Sequence, residues 1–218
     1  MQILVGIIYN KTLVALWEKA DKFMKINRNT AFIGAVLLVC GSVLLLAAGC
    51  SSPMKYYARP DFDVARIKKI AVLPFENYTS DGFAGEKVRK AVITEMLTGG
   101  IGVIEPGEVT RVLMELKIRS LGAISVKDIK EIEKALGVEA VMTGSVESFG
   151  ISTGIAASYP EVTIQLTLLE APSGNILWSV WRTSGGAGFW TRHFGVEGLT
   201  LGEAAKKVIR ESVNTMFR

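Results

Sequence analysis

The hydrophobic pattern after about residue 66 predicts an α/β domain. Ile67–Phe75 is an apolar run of strand length, typical of a strand that is buried on both faces. Apolar residues then recur at helical spacing between Gly85 and Thr98, where Gly99 and Gly100 end the pattern. Ile101–Ile104 follows as a short second strand. A strand, a helix and a strand in series predict a right-handed parallel crossover.

Two further helices are predicted before the next strand. Val109–Leu116 carries apolar residues at helical spacing. Ser125 and Asp128 resemble a capping box, and the apolar face that follows ends at Gly137. The helix should therefore end there, with the glycine in the left-handed conformation.

The C-terminal third predicts strands and a closing helix. Glu139–Phe149 is a strand, and Gly150–Pro160 is predicted to interrupt the sheet. Val162–Glu170 alternates apolar and polar residues, and turn chemistry at Pro172–Asn175 pairs it with Ile176–Thr183 as an antiparallel hairpin. Leu201–Phe217 is amphipathic.

These elements give the order βαβααβββα. The sequence therefore predicts an α/β class, in the sense of an α+β mixed sheet, as a single three-layer domain over residues 66–218 with a C-terminal antiparallel hairpin and a closing helix. Residues 50–65 contain Pro53 and Pro60 and no periodicity, so we predict a tether before the domain.

Residues 24–49 have the organisation of a secretory leader. Lys25 and Arg28 precede an uncharged apolar run, and small residues lead to Cys50. The residues Leu46, Ala47, Ala48 and Gly49 before Cys50 resemble the bacterial lipobox that signal peptidase II recognises, although Ala47 stands where leucine is usual. A transmembrane helix is the alternative, since about 20 apolar residues span a bilayer.

Lipid on Cys50 would attach the mature chain to a membrane. Ser51 is not the aspartate that retains enterobacterial lipoproteins in the inner membrane, so the resemblance implies an outer-membrane location facing the periplasm. Residues 1–23 precede the charged region of the leader, and we predict that translation starts at Met24. The alternative for residues 1–23 is a second membrane or amphipathic helix.

The charge of the chain argues against nucleic acid as a partner. The net charge is +4, with 25 Lys and Arg and 21 Asp and Glu. Five of these bases and two of these acids lie in residues 1–49, which leaves 20 basic and 19 acidic residues from Cys50 onwards. The mature domain is therefore nearly neutral and has no basic stripe.

Candidate catalytic residues are few, and we predict neither an enzyme nor a cofactor. His193 is the single histidine, and metal-binding cysteine clusters, nucleophile elbows and phosphate loops are absent from the sequence. Four carboxylates lie near predicted strand ends, where α/β sheets bind ligands: Glu76, Asp81, Glu105 and Glu108. Loop charges and helix N-terminal partners are the commoner roles for such residues.

Phe189, Trp190 and Phe194 lie in a glycine-rich segment. Large aromatic residues there serve either as a lid on the core or as anchors for a partner, and the sequence leaves both roles open. Trp178 and Trp181 lie on opposite faces of one strand, so at least one of them should belong to the core.

The strings Ile70–Phe75 and Leu136–Val146, with the final hairpin, resemble the domain shared by the curli secretion lipoprotein CsgG, the penicillin-binding-protein activator LpoB and the N-terminal domain of TolB. The resemblance covers about residues 66–218. The curli channel inserts long hairpins into a shared barrel, whereas Gly150–Pro160 and Gly185–Gly198 are too short for membrane hairpins.

The resemblance implies a non-catalytic binding or assembly factor of the cell envelope, with envelope proteins as partners. The alternative is a subunit of an oligomeric outer-membrane secretion or transport complex that resembles CsgG but has no barrel hairpins of its own. A homo-oligomer is among the partnerships left open. An envelope hydrolase is the third and weakest interpretation.

Overall fold

A computed structural model describes residues 17–19, 33, 55–153, 158–185 and 199–217. The chain divides into the units Met1–Pro53 and Met54–Arg218, and the second unit contains the described strands. No helix in these described ranges combines the length and apolarity required to cross a membrane.

The described strands are β1 (Tyr56–Ala58), β2 (Lys69–Val72), β3 (Glu76–Asn77), β4 (Gly102–Val103), β5 (Ala140–Thr153), β6 (Ser158–Glu170) and β7 (Ile176–Gly185). The helices are α1 (Ala84–Thr98), α2 (Pro106–Glu115), α3 (Val126–Leu136) and α4 (Leu201–Val213). A 3-10 turn at Val64–Arg66 joins β1 to β2.

The strands form one mixed sheet in the order β1-β7-β6-β5-β2-β4, with β3 pairing along β5. β2 is parallel to β4 and β5, as the predicted crossover requires, and β5, β6 and β7 are antiparallel neighbours. The predicted α/β fold, with its C-terminal hairpin and closing helix, is confirmed.

Local sequence signals explain the helix ends. Ser125 and Asp128 form the predicted capping box at the start of α3, and Gly137 ends the helix at φ 61° in the left-handed region. Thr200 and Glu203 form a second capping box at the start of α4. Glu105 caps α2 by accepting a hydrogen bond from the Glu108 backbone N–H, followed by Pro106 at the first helical position.

The core has two layers, one on each face of the sheet. α1 and α4 cover the first face, where Ile70, Met142 and Leu166 are fully buried. α2 and α3 cover the second face, but only over β2, the start of β5 and the end of β6, where Ala71, Val141 and Leu169 lie. The second face of β6 and β7 therefore extends beyond its helices.

The structure corrects the prediction at Gly150–Pro160. β5 continues to Thr153 and β6 begins at Ser158, so most of this segment belongs to two paired strands. The sequence suggested a break because it is rich in glycine, serine and alanine there. Cross-strand pairing extends the ladder in spite of this composition.

The sheet also contains two strands that the sequence did not indicate. Residues 56–58, inside the predicted tether, form β1 on the edge of β7, and residues 76–77 form β3 on β5. Arg59 holds β1 in place, because its guanidinium donates to both oxygens of Glu170 at 3.2 and 3.3 Å and its backbone N–H donates to Leu177 O.

Candidate functional site

The residues that the sequence singled out for lipidation and cleavage lie outside the described residues. These are Leu46, Ala47, Ala48, Gly49 and Cys50. The aromatic residues Phe189, Trp190 and Phe194 and the single histidine His193 also lie outside. Their predicted roles stay predictions.

The two tryptophans of β7 define the two faces of the sheet. Trp178 is completely buried under α4, and its Nε1 donates to Thr215 Oγ1 at 3.0 Å. Trp181 is 55 % exposed, because its face of β7 carries no helix among the described elements. The prediction that at least one of the two belongs to the core is confirmed.

We call the uncovered part of the second face the open sheet face. It is formed by alternate residues of the three antiparallel strands and one residue of β1, since successive side chains of a strand point to opposite faces. Its members are Thr143, Ser145, Glu147, Thr163, Gln165, Thr167, Ser179, Trp181, Thr183 and, from β1, Tyr57. Apart from Glu147, these side chains are uncharged polar or aromatic.

Hydroxyl pairs hold part of this surface together. Thr163 and Thr183 share a hydrogen bond of 2.9 Å between their Oγ1 atoms, and Thr167 and Ser179 share one of 3.0 Å. These pairs join β6 to β7 across the ladder, where opposed threonine and serine side chains stabilise a sheet. These hydroxyls therefore already have hydrogen-bond partners within the sheet.

A cleft of about 280 Å³ lies where the open sheet face meets the loop between α2 and α3. Residues 121–124 form one wall, Glu76 lies at the edge, and the floor contains Thr143, Ser145 and Gln165. Ser145 is only 9 % exposed, and its side chain makes no hydrogen bond to another described residue. The cleft therefore presents polar groups that a ligand or partner can satisfy.

Gly122 brings the loop directly against the carboxylate of Glu76. A Cβ atom at this position would lie 2.3 Å from Glu76 Oε2, so a side chain there would displace the carboxylate. Glycine thus lets the cleft wall pass directly over Glu76.

Two carboxylates border the cleft and the face beside it, and an aromatic side chain donates to each. Tyr78 donates its hydroxyl to Glu76 Oε2 at 2.8 Å, and Trp181 Nε1 donates to Glu147 Oε2 at 3.1 Å. The bond to Glu76 raises the pKa of Tyr78 above its ordinary value, and the negative charge of Glu147 adds to this effect. Neither carboxylate forms an ion pair within the described part of the chain.

A bulge in β5 lies at Glu147. The register between β5 and β6 shifts between Val146, which is opposite Ile164, and Ser148, which is opposite Thr163. Glu147 is the additional residue, without a partner on β6, and its carboxylate reaches Trp181 on β7. Alternation from Ser145 places Glu147 on the open sheet face.

Three of the four carboxylates predicted near strand ends have local structural partners. Asp81 accepts from the Phe83 N–H and from Lys87 Nζ, and Lys87 is the main cause of its lowered pKa. Glu105 caps α2, and Glu108 pairs with Arg111. Only Glu76 lines the cleft, so the structure does not gather these acids into one site.

The described residues also lack the arrangement of a metal site. No group of three His, Cys, Asp or Glu side chains among them lies close enough together to hold a metal ion. The chemistry of the cleft is therefore that of hydroxyl, amide, carboxylate and aromatic groups.

The sequence alone does not predict the cleft, although part of the pattern that forms it can be seen there. In the alternating strand, Thr163, Gln165 and Thr167 are polar, a pattern typical of a face that meets water or a helix end. The opposing wall at residues 121–124 lies about forty residues earlier, and only tertiary packing brings it to the strand.

Among solved structures, those of PelC support the fold. A point variant of the PelC dodecamer from Paraburkholderia phytofirmans matches with a TM-score of 0.53 and 20 % identity, over 76 % of this chain and 98 % of that chain. Lipoprotein GNA1162 from Neisseria meningitidis matches with a TM-score of 0.49 and 19 % identity, over 67 % and 99 %. The LpoB C-terminal domain from Escherichia coli gives a TM-score of 0.39 and 14 % identity, over 53 % and 81 %.

No protein-family model and no curated protein matches the chain. At these identities the similarity to PelC concerns the fold alone. The predicted resemblance to CsgG and TolB stays a prediction.

Proposed function

We propose that this chain is a non-catalytic lipoprotein of the cell envelope, anchored by lipid on Cys50 to the outer membrane and facing the periplasm, which binds another envelope protein through the open sheet face. The observation that carries the binding role is the cleft on that face, with its polar floor and with two carboxylates at and beside it that have no cationic partners among the described residues.

The chemistry of the open sheet face suits a protein partner. Exposed Trp181 and Tyr57 belong to the residue types that contribute most energy to interfaces. Glu76 and Glu147 favour a partner that carries lysine or arginine opposite them, because complementary charge orients the encounter. We therefore expect a partner surface with basic side chains around an apolar or aromatic centre.

Binding explains this arrangement better than nucleophilic catalysis. The cleft is lined by three hydroxyl groups, those of Thr143, Ser145 and Thr167, and Thr167 is already paired with Ser179. A hydroxyl nucleophile requires a base within hydrogen-bond distance, and Ser145 has no such partner among the described residues. The hydroxyl and amide groups are suited instead to recognition.

A crosslinking experiment in cells tests the proposed face. A photoreactive amino acid at Gln165, in the cleft floor, should crosslink to a distinct envelope protein, whereas the same group at exposed Met114 on α2 should not. The Trp181→Ala variant should reduce the crosslink several-fold at unchanged melting temperature. Equal crosslinking from both positions, or none from Gln165, would reject the open sheet face as the binding surface.

The alternative is a subunit of a homo-oligomeric secretion or transport complex. The observation in its favour is that the PelC structures of similar fold are described as dodecamers. The mass of the purified chain in a gentle detergent separates the two functions. A monomeric mass with a crosslink to another protein supports the binding factor, and a ring-sized mass with a crosslink from Gln165 to a second copy supports the complex.

The anchor is tested on the mature N-terminus. Mass spectrometry of the membrane fraction should find a peptide that begins at diacylglyceryl-Cys50, which would also make residues 1–49 dispensable after export. An intact N-terminus at Met1 or Met24 would instead mean that the chain is held by a helix, and the lipoprotein assignment would fail.

A further inference from the structure

The cleft on the open sheet face combines one carboxylate with an apolar lining. Three aliphatic side chains line it and also pack on the core of the second face: Leu121, Ile124 and Leu169. Glu76 lies at the edge, and among the described residues that line the cleft it alone is charged. The volume of about 280 Å³ is at the lower limit for small-molecule pockets, which hold about 300 Å³ or more. The space therefore suits a single side chain that is apolar along its length and positively charged at its end.

The carboxylate of Glu76 is already held in place. Tyr78 donates its hydroxyl to Oε2 at 2.8 Å, and the loop passes so close that a Cβ atom at Gly122 would overlap both carboxylate oxygens. The pKa of Tyr78 is raised by its bond to Glu76 and further by the charge of Glu147, so both carboxylates act on the same region. A carboxylate that is fixed in advance loses little side-chain freedom when a cation binds.

Glu76 also begins a row of side chains that crosses the sheet. It is opposite Ser145 on β5. Ser145 is opposite Gln165 on β6, which is in turn opposite Trp181 on β7. Three strand spacings of about 4.8 Å place the Cα atoms at the two ends of the row about 14 Å apart. A hydroxyl and an amide thus lie between a carboxylate at one end and an exposed aromatic ring at the other.

The polar groups of this row suit a guanidinium better than an ammonium group. Ser145 is almost completely buried in the cleft floor, and its side chain makes no hydrogen bond to another described residue. Its hydroxyl, the carboxylate of Glu76 and the amide oxygen of Gln165 can all accept hydrogen bonds. Arginine offers five donors in a planar fork, whereas lysine offers three at one point. One guanidinium can therefore donate to Glu76 and to the neighbouring floor at the same time.

We propose that the cleft is a pocket for one arginine side chain of the envelope partner, with the guanidinium at Glu76 and Ser145 and the aliphatic stem along Leu121 and Ile124. This inference rests on the proposed function and specifies what the partner presents to the open sheet face. The row adds a second requirement, because a partner residue about 14 Å from the arginine meets Trp181. An apolar or aromatic side chain at that separation completes the recognised segment.

The test measures the binding of a blocked arginine to the acylated full-length protein in a mild non-ionic detergent. The probe is N-acetyl-arginine amide, because its blocked ends mimic a residue within a chain. N-acetyl-citrulline amide is the neutral control, with a ureido group in place of the guanidinium. The methyl resonance of Ile124 reports on the cleft, and that of Ile93 on α1, which packs on the other face of the sheet, is the reference.

We expect the arginine probe to shift the Ile124 resonance in a saturable manner, while the citrulline probe leaves it unchanged and neither probe shifts that of Ile93. Glu76→Gln should weaken binding by about ten-fold or more, because a charged hydrogen bond is lost. Glu147→Gln, on the same face but outside the cleft lining, should weaken it by about two-fold or less. Gly122→Ala, whose Cβ atom displaces the carboxylate, should repeat the loss if Glu76→Gln is misfolded.

Absence of a shift at Ile124, equal shifts from both probes, or full affinity in Glu76→Gln overturns the arginine pocket. N-acetyl-lysine amide that binds as tightly as the arginine probe overturns the preference for a guanidinium. The crosslink from Gln165 tests the proposed function separately. A crosslink to an envelope protein without arginine binding removes the pocket and leaves the binding face in place, whereas arginine binding without that crosslink rejects an envelope partner as the source of the side chain.

Discussion

The two ends of the sheet are built differently. Around β2, helices cover both faces, and Ile70, Ala71, Val72 and Leu73 are almost completely buried in succession. Around β7, the described helices cover one face only, so Trp178 is buried and Trp181 is exposed. The helices around β2 leave neither face of the sheet exposed to a partner. At β7 one face is exposed, and the helix packed on the other face holds the strand in place. Under the proposed function, stability and recognition therefore depend on different parts of one sheet.

The largest expected contrast lies between the two tryptophans of β7. Trp178→Ala removes a fully buried side chain and its hydrogen bond to Thr215, and should lower the free energy of unfolding by about 3–5 kcal/mol. Trp181→Ala should change it by less than about 0.5 kcal/mol, as expected of a surface position. Urea denaturation measures both values, and similar losses would refute the division between the two faces.

A smaller effect on the free energy of unfolding is expected at Arg89, a buried cation in the part of the sheet that helices cover on both faces. Arg89 on α1 donates its Nε and Nη2 groups to Val72 O at 3.1 and 2.8 Å, and burial lowers its pKa. Arg89→Leu removes these donors from a buried carbonyl and should cost about 1–3 kcal/mol of unfolding free energy. Exposed Arg111→Leu is the control, and its stability should stay close to that of the parent.

The smallest effect is expected at the edge where β1 joins. Arg59 is the main cause of the lowered pKa of Glu170, and Ser173 adds to it. A lowered folded-state pKa stabilises the fold above the ordinary value near 4.5, and this contribution is lost as the pH falls through the folded-state pKa below it.

Glu170→Gln should therefore lower the neutral plateau of the melting-temperature profile slightly and leave its acid end unchanged, which flattens the acid limb. Thermal melts across the acid range measure this slope. A profile for Glu170→Gln that is parallel to that of the parent would show that the Arg59–Glu170 ion pair does not contribute to the pH dependence of stability.

Much of the fold could be predicted because local signals agree with tertiary packing. The capping box at Ser125 and the left-handed Gly137 are set by neighbouring residues, and the alternation after Val162 repeats often enough to define a strand. Strand β1 has only three residues, too few for a period, and lies between prolines. Its pairing with β7 comes from contacts more than a hundred residues away in sequence.

The site was less predictable than the fold. The polar face of β6 follows from its alternation, but the bulge at Glu147 and the approach of Gly122 to Glu76 have no local signature. Both depend on how distant segments meet. The acids chosen from strand ends were mostly helix caps and ion pairs, because a carboxylate near a helix N-terminus has a local role available.

The short strand β1 also has a mechanical consequence for an anchored chain. Its hydrogen bonds to β7 lie across the strand direction. A pull on the tether along β1 loads these bonds and the Arg59–Glu170 pair together, in shear, rather than opening them one after another. Tension between the membrane and a bound partner would thus pass directly into β7, the strand that carries Trp181.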